Sequence, residues 1–448
     1  MEVMSERKVA GAGFTIFETV IAIAVLGIFF AAVSVIIQQI LQLTGQSRVR
    51  ATALELAQQK IEVVRNLPFA QVGTSGGIPQ GPLLQTETVT INGQPFTVKT
   101  SITYIDDPFD QLAPADLINT DYKRARVEVT WSGPFPSTKP VTEVTNIAPR
   151  GIETIGGGGT VYIQVFDANA LPVSNATVTI DNALVSPEIH TSTLTSATGF
   201  AVIPGAPACN TCYQITVTKS GYSTDKTYST TEVTNPLAPY VSVLEGQVTH
   251  VSFSIDQVGG VTIRSYGSRE SGYPPVGPVF FTISGSKIIG YDSEDNPVYK
   301  YSYNTNTGGG IVTISGLEWD TYTLDFSNSG HALAGSNPLN PFALLPGQTE
   351  NVNIVAVPKA SNTFLITVKD NTGIRLASAS ARLTNEGSFD ETLDTGATGA
   401  ADFGQAFFDN LAAGSYALTA SASGFLEATS SVSIAGTMQE VVTLNPVQ

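Results

Sequence analysis

Residues 14–37 read FTIFETVIAIAVLGIFFAAVSVII, 24 consecutive positions with one charge, Glu18. As a helix rising about 1.5 Å per residue they span about 36 Å, enough to cross a bilayer. The leader ahead of them, MEVMSERKVAGAG, holds Arg7 and Lys8 and ends on Gly13, which puts its side of the span in the cytoplasm. A secretory signal cut near Ala32-Val33-Ser34, a plain membrane anchor and a processed assembly helix all fit that outline. Glu18 separates them. A carboxylate inside a membrane span costs about 3 kcal/mol and is kept where it has a partner. A signal or simple anchor gains nothing from it.

The run Gly13-Phe14-Thr15-Ile16-Phe17-Glu18, followed by an apolar stretch, resembles the cleavage and N-methylation motif of type IV pilins and secretion-system pseudopilins. The resemblance implies a prepilin peptidase that cuts after Gly13 and methylates the new amine on Phe14. It also implies that Glu18, then the fifth residue, pairs with the terminal ammonium of a neighbouring subunit. Physics supports the pairing: an ammonium and a carboxylate about 4 Å apart attract by roughly 4 kcal/mol at an effective dielectric of 20. Joining two lipid-averse charges between subunits sets the register of helix packing.

The helix is expected to continue past the membrane. Ile40, Leu41, Leu43, Val49, Ala53, Leu54, Leu56, Ala57, Ile61 and Val64 recur at helical spacing, and Leu67-Pro68 ends the pattern. Residues 14–66 then form a transmembrane and spine helix about 80 Å long. Position 35, where many major pilins carry a helix-breaking proline, is Val35; Gly27 and Gly45 are the weak points, each costing about 1 kcal/mol against Ala.

Alternation predicts strands at Thr86–Ile91, 96–105 and Tyr122–Trp131, the first two joined by the hairpin signal Asn92-Gly93. Ala125, Val127, Val129 and Trp131 share one face. The DYKRARVEVTW stretch resembles the last strands of V-type minor pilins. Residues 67–150 are therefore expected to be a small antiparallel β pilin head, after a leader at 1–13.

A Gly linker at 151–159 precedes a repeat. Strands open at Val161-Tyr162-Ile163, Val261-Thr262-Ile263 and Phe364-Leu365-Ile366, 100 and 103 residues apart. In each unit a Tyr precedes a Gly by eight: Tyr213 and Gly221, Tyr322 and Gly330, Tyr416 and Gly424. Each closes on a Gly followed five residues later by Val: Gly246 and Val251, Gly347 and Val352, Gly436 and Val441. The expectation is three tandem β-sandwich modules at 160–256, 257–357 and 358–448. Thr198-Gly199-Phe200, Tyr213 and Ser220-Gly221-Tyr222 in the first, with Thr398-Gly399, Gly414-Ser415-Tyr416 and Ser423-Gly424-Phe425 in the third, resemble carboxypeptidase regulatory-like domains. That resemblance implies non-catalytic, transthyretin-like sandwiches. The middle unit, with a longer hairpin around Asp292 to Asn296, reads equally as another immunoglobulin-like type. The fold class is α+β.

Charged residues make up 13% of the chain, against about 25% in average soluble proteins. The net charge is -16, and residues 151–448 hold 10 Lys+Arg against 25 Asp+Glu, so no basic surface is available for nucleic acid. Cys209 and Cys212 are the only cysteines; on an exported chain the pair reads as a local disulfide, with free thiols the alternative. Asp106, Asp107, Asp110 and Asp116 in one loop, and Asp292, Glu294 and Asp295 in another, are minor calcium candidates beside the plainer reading as solvated turns. His250 is expected to face solvent from a strand, with His190 and His331 in turns. No nucleophile elbow, phosphate loop or HExxH is present, so neither catalysis nor a cofactor is expected.

These readings converge on a minor pilin-like subunit at a tip or low-abundance position, its modules serving adhesion to an unknown surface ligand. Its implied partners are other pilins through the helix, prepilin peptidase and the assembly platform. It would sit in the inner membrane before assembly and in the extracellular pilus after it. A pseudopilin of a type II secretion or DNA-uptake system is one alternative. A membrane-anchored, non-polymerising surface protein is the other.

Overall fold

The computed structural model describes residues 16–106, 121–133, 135–137, 139–149, 158–387 and 389–447. It has one long N-terminal apolar helix followed by many β-strands in several sheets. Contacts divide the chain into two compact units, Met1–Gly158 with Ile203–Ala206, and Gly159–Val202 with Pro207–Gln448.

In the first unit, α1 (Ile16–Arg65) packs on the antiparallel sheet β1 (Thr86–Ile91), β2 (Gln94–Ile105), β3 (Tyr122–Trp131) and β4 (Val141–Ile147), in that order. The β1–β2 turn has positive φ at both Asn92 and Gly93, the handedness that matches strand twist in a two-residue hairpin. Ala53, Leu56, Ala57, Ile61 and Val64 form the buried stripe of α1 and meet Phe96, Val98, Ala125, Val127, Val129 and Trp131. The expected stripe is cut short. Ile40, Leu41 and Leu43 are exposed because the packed stripe of the helix begins only near Val49, and Leu54 is exposed because it lies off the stripe formed by Ala53, Leu56, Ala57, Ile61 and Val64. Strand β4, which reads VTEVTNI after Pro140, had no alternation strong enough to announce it.

The second unit carries three successive stretches, each built mainly of two sheets, with a small three-stranded sheet of Asn235–Pro236, Ile288–Tyr291 and Pro297–Tyr299 bridging the first and second. The first pairs a sheet ordered Val248–Ser254, Gly158–Phe166, Phe200–Pro207 with a five-stranded sheet that contains Cys209–Thr218. The next holds two four-stranded sheets, one ordered Ile311–Leu317, Gly259–Tyr266, Thr349–Pro358, His331–Asn337, the other Ser302–Asn306, Phe280–Gly285, Asp320–Asp325, Phe342–Leu344. In the last, Gln405–Phe408, Thr363–Asp370 and Thr437–Leu444 face Asp390–Asp394, Ser380–Thr384, Gly414–Ser421 and Ala428–Ile434. In the second and third stretches one apolar core draws on both sheets.

The repeated signals have structural meaning. The opening strand of each stretch pairs in parallel with its closing strand. Gly246, Gly347 and Gly436 take positive φ in the turn before that closing strand. The third valine is not equivalent, however. Val251 lies opposite Ile163 and Val352 opposite Ile263, but Glu440 lies opposite Ile366, so Val441 is shifted by one and is 56% exposed. Tyr213, Tyr322 and Tyr416 are buried, and their hydroxyls donate to the carbonyls of Pro207, Glu318 and Ala412 at 2.7, 2.9 and 3.0 Å. The partner lies four residues back in two cases and six back in the first, where the chain includes Cys209-Asn210-Thr211-Cys212.

Candidate functional site

The apolar half of α1 is the first candidate. Among the described residues from Ile16 to Leu43, sixteen large apolar side chains are exposed, and α1 is the one described helix long and apolar enough to cross a membrane. Each such side chain gains about 1.5–3 kcal/mol when covered, so the set outweighs the 5–15 kcal/mol that typically stabilises a domain. This surface has to be covered by lipid or by other helices. Gly13, Phe14, Asp107, Asp110 and Asp116 lie outside the described residues. Glu18 lies on the α1 backbone, roughly eight helical turns ahead of Val49, the first residue that packs on the sheet.

The lower half of α1 is fastened to the sheet by packing and by charge. Lys60 Nζ meets Glu87 Oε1 at 2.6 Å, and Arg65 donates from Nε and Nη2 to Thr145 Oγ1 at 3.1 and 3.0 Å. Gly45 has a packing reason the sequence did not show. A Cβ there would come within 2.5 Å of the Phe135 ring, so only glycine lets that ring lie against the helix. The Phe135 carbonyl accepts from Trp131 Nε1 at 2.6 Å, tying the same loop to the core.

Lys123 is the functional group that sequence reasoning missed. It continues the inward alternation of Ala125, Val127 and Val129, and is 2% exposed. Its Nζ donates to the carbonyls of Phe69 and Val72 at 2.8 and 2.7 Å and lies 4.6 Å from the centre of the Phe69 ring. The ammonium thus clamps the turn that follows α1 to the middle of the sheet. Burial pushes its pKa down to about 8.

In the second unit Cys209 and Cys212 are joined as a disulfide. Asp292 closes its hairpin by accepting from the backbone N–H of Glu294 and Asn296 at 2.8 and 2.9 Å. Those bonds hold its carboxyl below the usual range. Glu294 and Asp295 are exposed, and among the described residues no group of three His, Cys, Asp or Glu side chains could hold a metal. The hairpin is more than a solvated tip, because its strand Ile288–Tyr291 pairs with Asn235–Pro236 of the preceding stretch. His190 and His331 lie in strands rather than turns, since Ile189–Leu194 and His331–Asn337 both extend through Ser-, Thr- and Ala-rich sequence of weak signal. His250 is exposed in its strand, and its ring lies tilted against that of Tyr162 with centroids 5.0 Å apart.

Charged side chains about which the sequence is silent join successive stretches. Lys300 Nζ reaches Glu318 at 2.8 Å and Asp225 at 3.7 Å, while Lys287 meets the other Glu318 oxygen at 2.7 Å and lies 3.3 Å from the centre of the Trp319 ring. Further along, Asp402 accepts from Arg269 and from the Tyr273 hydroxyl. Arg375 donates to Asn337 Oδ1 at 2.6 Å.

No protein-family model matches the chain, and no curated protein matches it. Among solved structures it is similar to the Bacillus anthracis TIE protein, at 15% identity over 80% of this chain and 73% of that one, with a TM-score of 0.19. A minor pilin of the Gram-positive pathogen Streptococcus agalactiae aligns at 12% identity over 42% and 97% of the two chains, TM-score 0.18. A streptococcal ancillary pilin aligns at 13% over 65% and 99%, TM-score 0.17. Likenesses this low carry no functional argument, which rests on the residues themselves.

Proposed function

We propose that this chain is a non-enzymatic, minor pilin-like subunit. It is cut after Gly13, methylated on Phe14, and docked among other subunits through α1, with the Glu18 carboxylate neutralising a neighbour's terminal ammonium. The observation that carries the reading is the uncovered apolar length of α1 directly behind the Gly13-Phe14 motif. A lone anchor needs that length for lipid, but it does not need Glu18. The helix remains in the inner membrane until assembly, and the paired-sheet stretches from residue 160 onward form three sandwich modules that project from the pilus and bind a surface ligand. Their bulk suits a tip or a sparsely occupied position better than a repeating shaft.

Mass spectrometry of the mature N-terminus tests the processing: a methylated Phe14 is expected, and any other start removes the basis of the proposal. Glu18→Ala tests the docking, with filament incorporation expected to fall; incorporation at the normal level would overturn the ion-pair account of assembly.

A further inference from the structure

The outward face of the sheet containing Ser302–Asn306, Phe280–Gly285 and Asp320–Asp325 forms part of a cavity of about 370 Å³. That size falls in the range of small-ligand sites. Strand register explains the lining. Phe280 stands opposite Asn306, and Thr282 stands between Asn304 on one side and Asp325 on the other. Period-2 alternation therefore brings one aromatic ring and a row of amide, hydroxyl and carboxylate groups to the same face. Phe280 is 53% exposed although its strand neighbours Val279 and Phe281 are buried.

Hydrogen-bonding capacity remains in the row. The Thr282 hydroxyl donates to Asn304 Oδ1 at 2.6 Å, which leaves the Asn304 amide N–H groups without an acceptor among the described residues. Asp325 accepts from the Ser327 backbone and hydroxyl at 2.9 and 2.7 Å, one bond per oxygen, so each oxygen can accept another. Asn328, on the rim, makes no side-chain hydrogen bond among the described residues. No Lys, Arg or His lines the cavity and its one charge is Asp325, which disfavours phosphate, sulfate or a polyanion. A lipid or apolar peptide would leave the amide and carboxylate groups unpaired.

We infer that this cavity binds the end of an uncharged saccharide, with a C–H face of one sugar ring on Phe280 and its hydroxyls shared among Asn304, Asp325 and Asn328. A pyranose offers an apolar ring face and a rim of hydroxyls that both donate and accept, the two chemistries that meet here. The inference gives a ligand class to the display half of the proposed function and rests on that half alone. It does not need the helix to polymerise.

The test uses the full chain in detergent micelles, passed over immobilised maltose, cellobiose, lactose and mannobiose, with heparin as the anionic comparison. Retention on at least one neutral disaccharide is expected. Phe280→Ala and Asn304→Ala then weaken that binding by about tenfold or more, while Phe280→Tyr, which keeps the ring, stays within about twofold. Should Phe280→Ala lower the melting temperature, Asn328→Ala on the rim serves as the second variant, with the same weakening expected. Failure on all four sugars, preference for heparin, or unchanged binding in the variants overturns the inference. Each of those results leaves the state of Phe14 unaffected, so the processing reading and the saccharide reading fail separately.

Discussion

The Arg269 guanidinium reaches the Asp402 carboxylate across 133 residues of chain, donating from Nε and Nη2 to the same oxygen at 2.9 and 2.6 Å. The Asp402 side chain is 5% exposed and its other oxygen accepts from the Tyr273 hydroxyl at 2.6 Å. Burial and the neighbouring carboxylate push the Tyr273 hydroxyl up to about 12. The pair locks the second paired-sheet stretch to the third, beside an apolar patch of Ala334, Val355 and Ala401.

Removing one partner of a buried pair costs about 3–5 kcal/mol, because the other charge stays buried without compensation. Arg269→Ala is therefore expected to destabilise the second unit more than Asp402→Asn, which keeps an acceptor for Tyr273 and leaves Arg269 partly in water. Urea unfolding followed by tryptophan fluorescence at Trp319 gives the comparison.

Gly45→Ala sets two effects against each other. Helix propensity favours alanine by about 1 kcal/mol. Contact of the new Cβ with the Phe135 ring opposes it, and overpacking costs about 1–3 kcal/mol. A net loss of stability is expected in the native background, and a gain when Phe135→Ala is also present. A double-mutant cycle by thermal unfolding reads the sign reversal directly.

Lys123 links the stability of the first unit to pH. Its folded pKa lies near 8, below the ordinary lysine value of 10.5, so between those values the unfolded chain binds more protons than the folded one. Stability should rise from pH 8 toward 10.5 at no more than about 1.4 kcal/mol per pH unit, and be flat in this term below pH 8. Lys123→Met, with a chain of similar length, should abolish the rise. A slope unchanged in that variant would assign the effect to another group.

The three buried tyrosines offer a matched series. Tyr322→Phe and Tyr416→Phe each delete one hydrogen bond to a carbonyl four residues back, for an expected loss of about 1 kcal/mol. Tyr416→Ala also opens a cavity and is expected to cost about 3–5 kcal/mol. Differential scanning calorimetry of the full chain separates the two magnitudes.

Much of the architecture was legible because it is written in local periodicity. The apolar run 14–37, the Asn92-Gly93 turn, the inward face of β3 and the spaced Tyr and Gly residues each depend on neighbours within a few positions. What escaped was non-local. Lys123 occupies an inward position that alternation alone identifies, yet a lysine there reads as solvated until Phe69 and Val72 bring two carbonyls to it. Val441 carries the same spacing as Val352 but faces outward, since its register is set against a strand some seventy residues earlier.

The sequence by itself determined that a membrane-length helix with an internal carboxylate precedes a repeated β array, because hydrophobic length and strand alternation are properties of the unfolded chain as much as of the folded one. Tertiary structure alone decided which charges are buried, which glycine is a contact rather than a weakness, and that opening and closing strands run parallel. Those outcomes depend on surfaces that exist only once distant segments meet, and it is there that Phe280, Asn304 and Asp325 become a site.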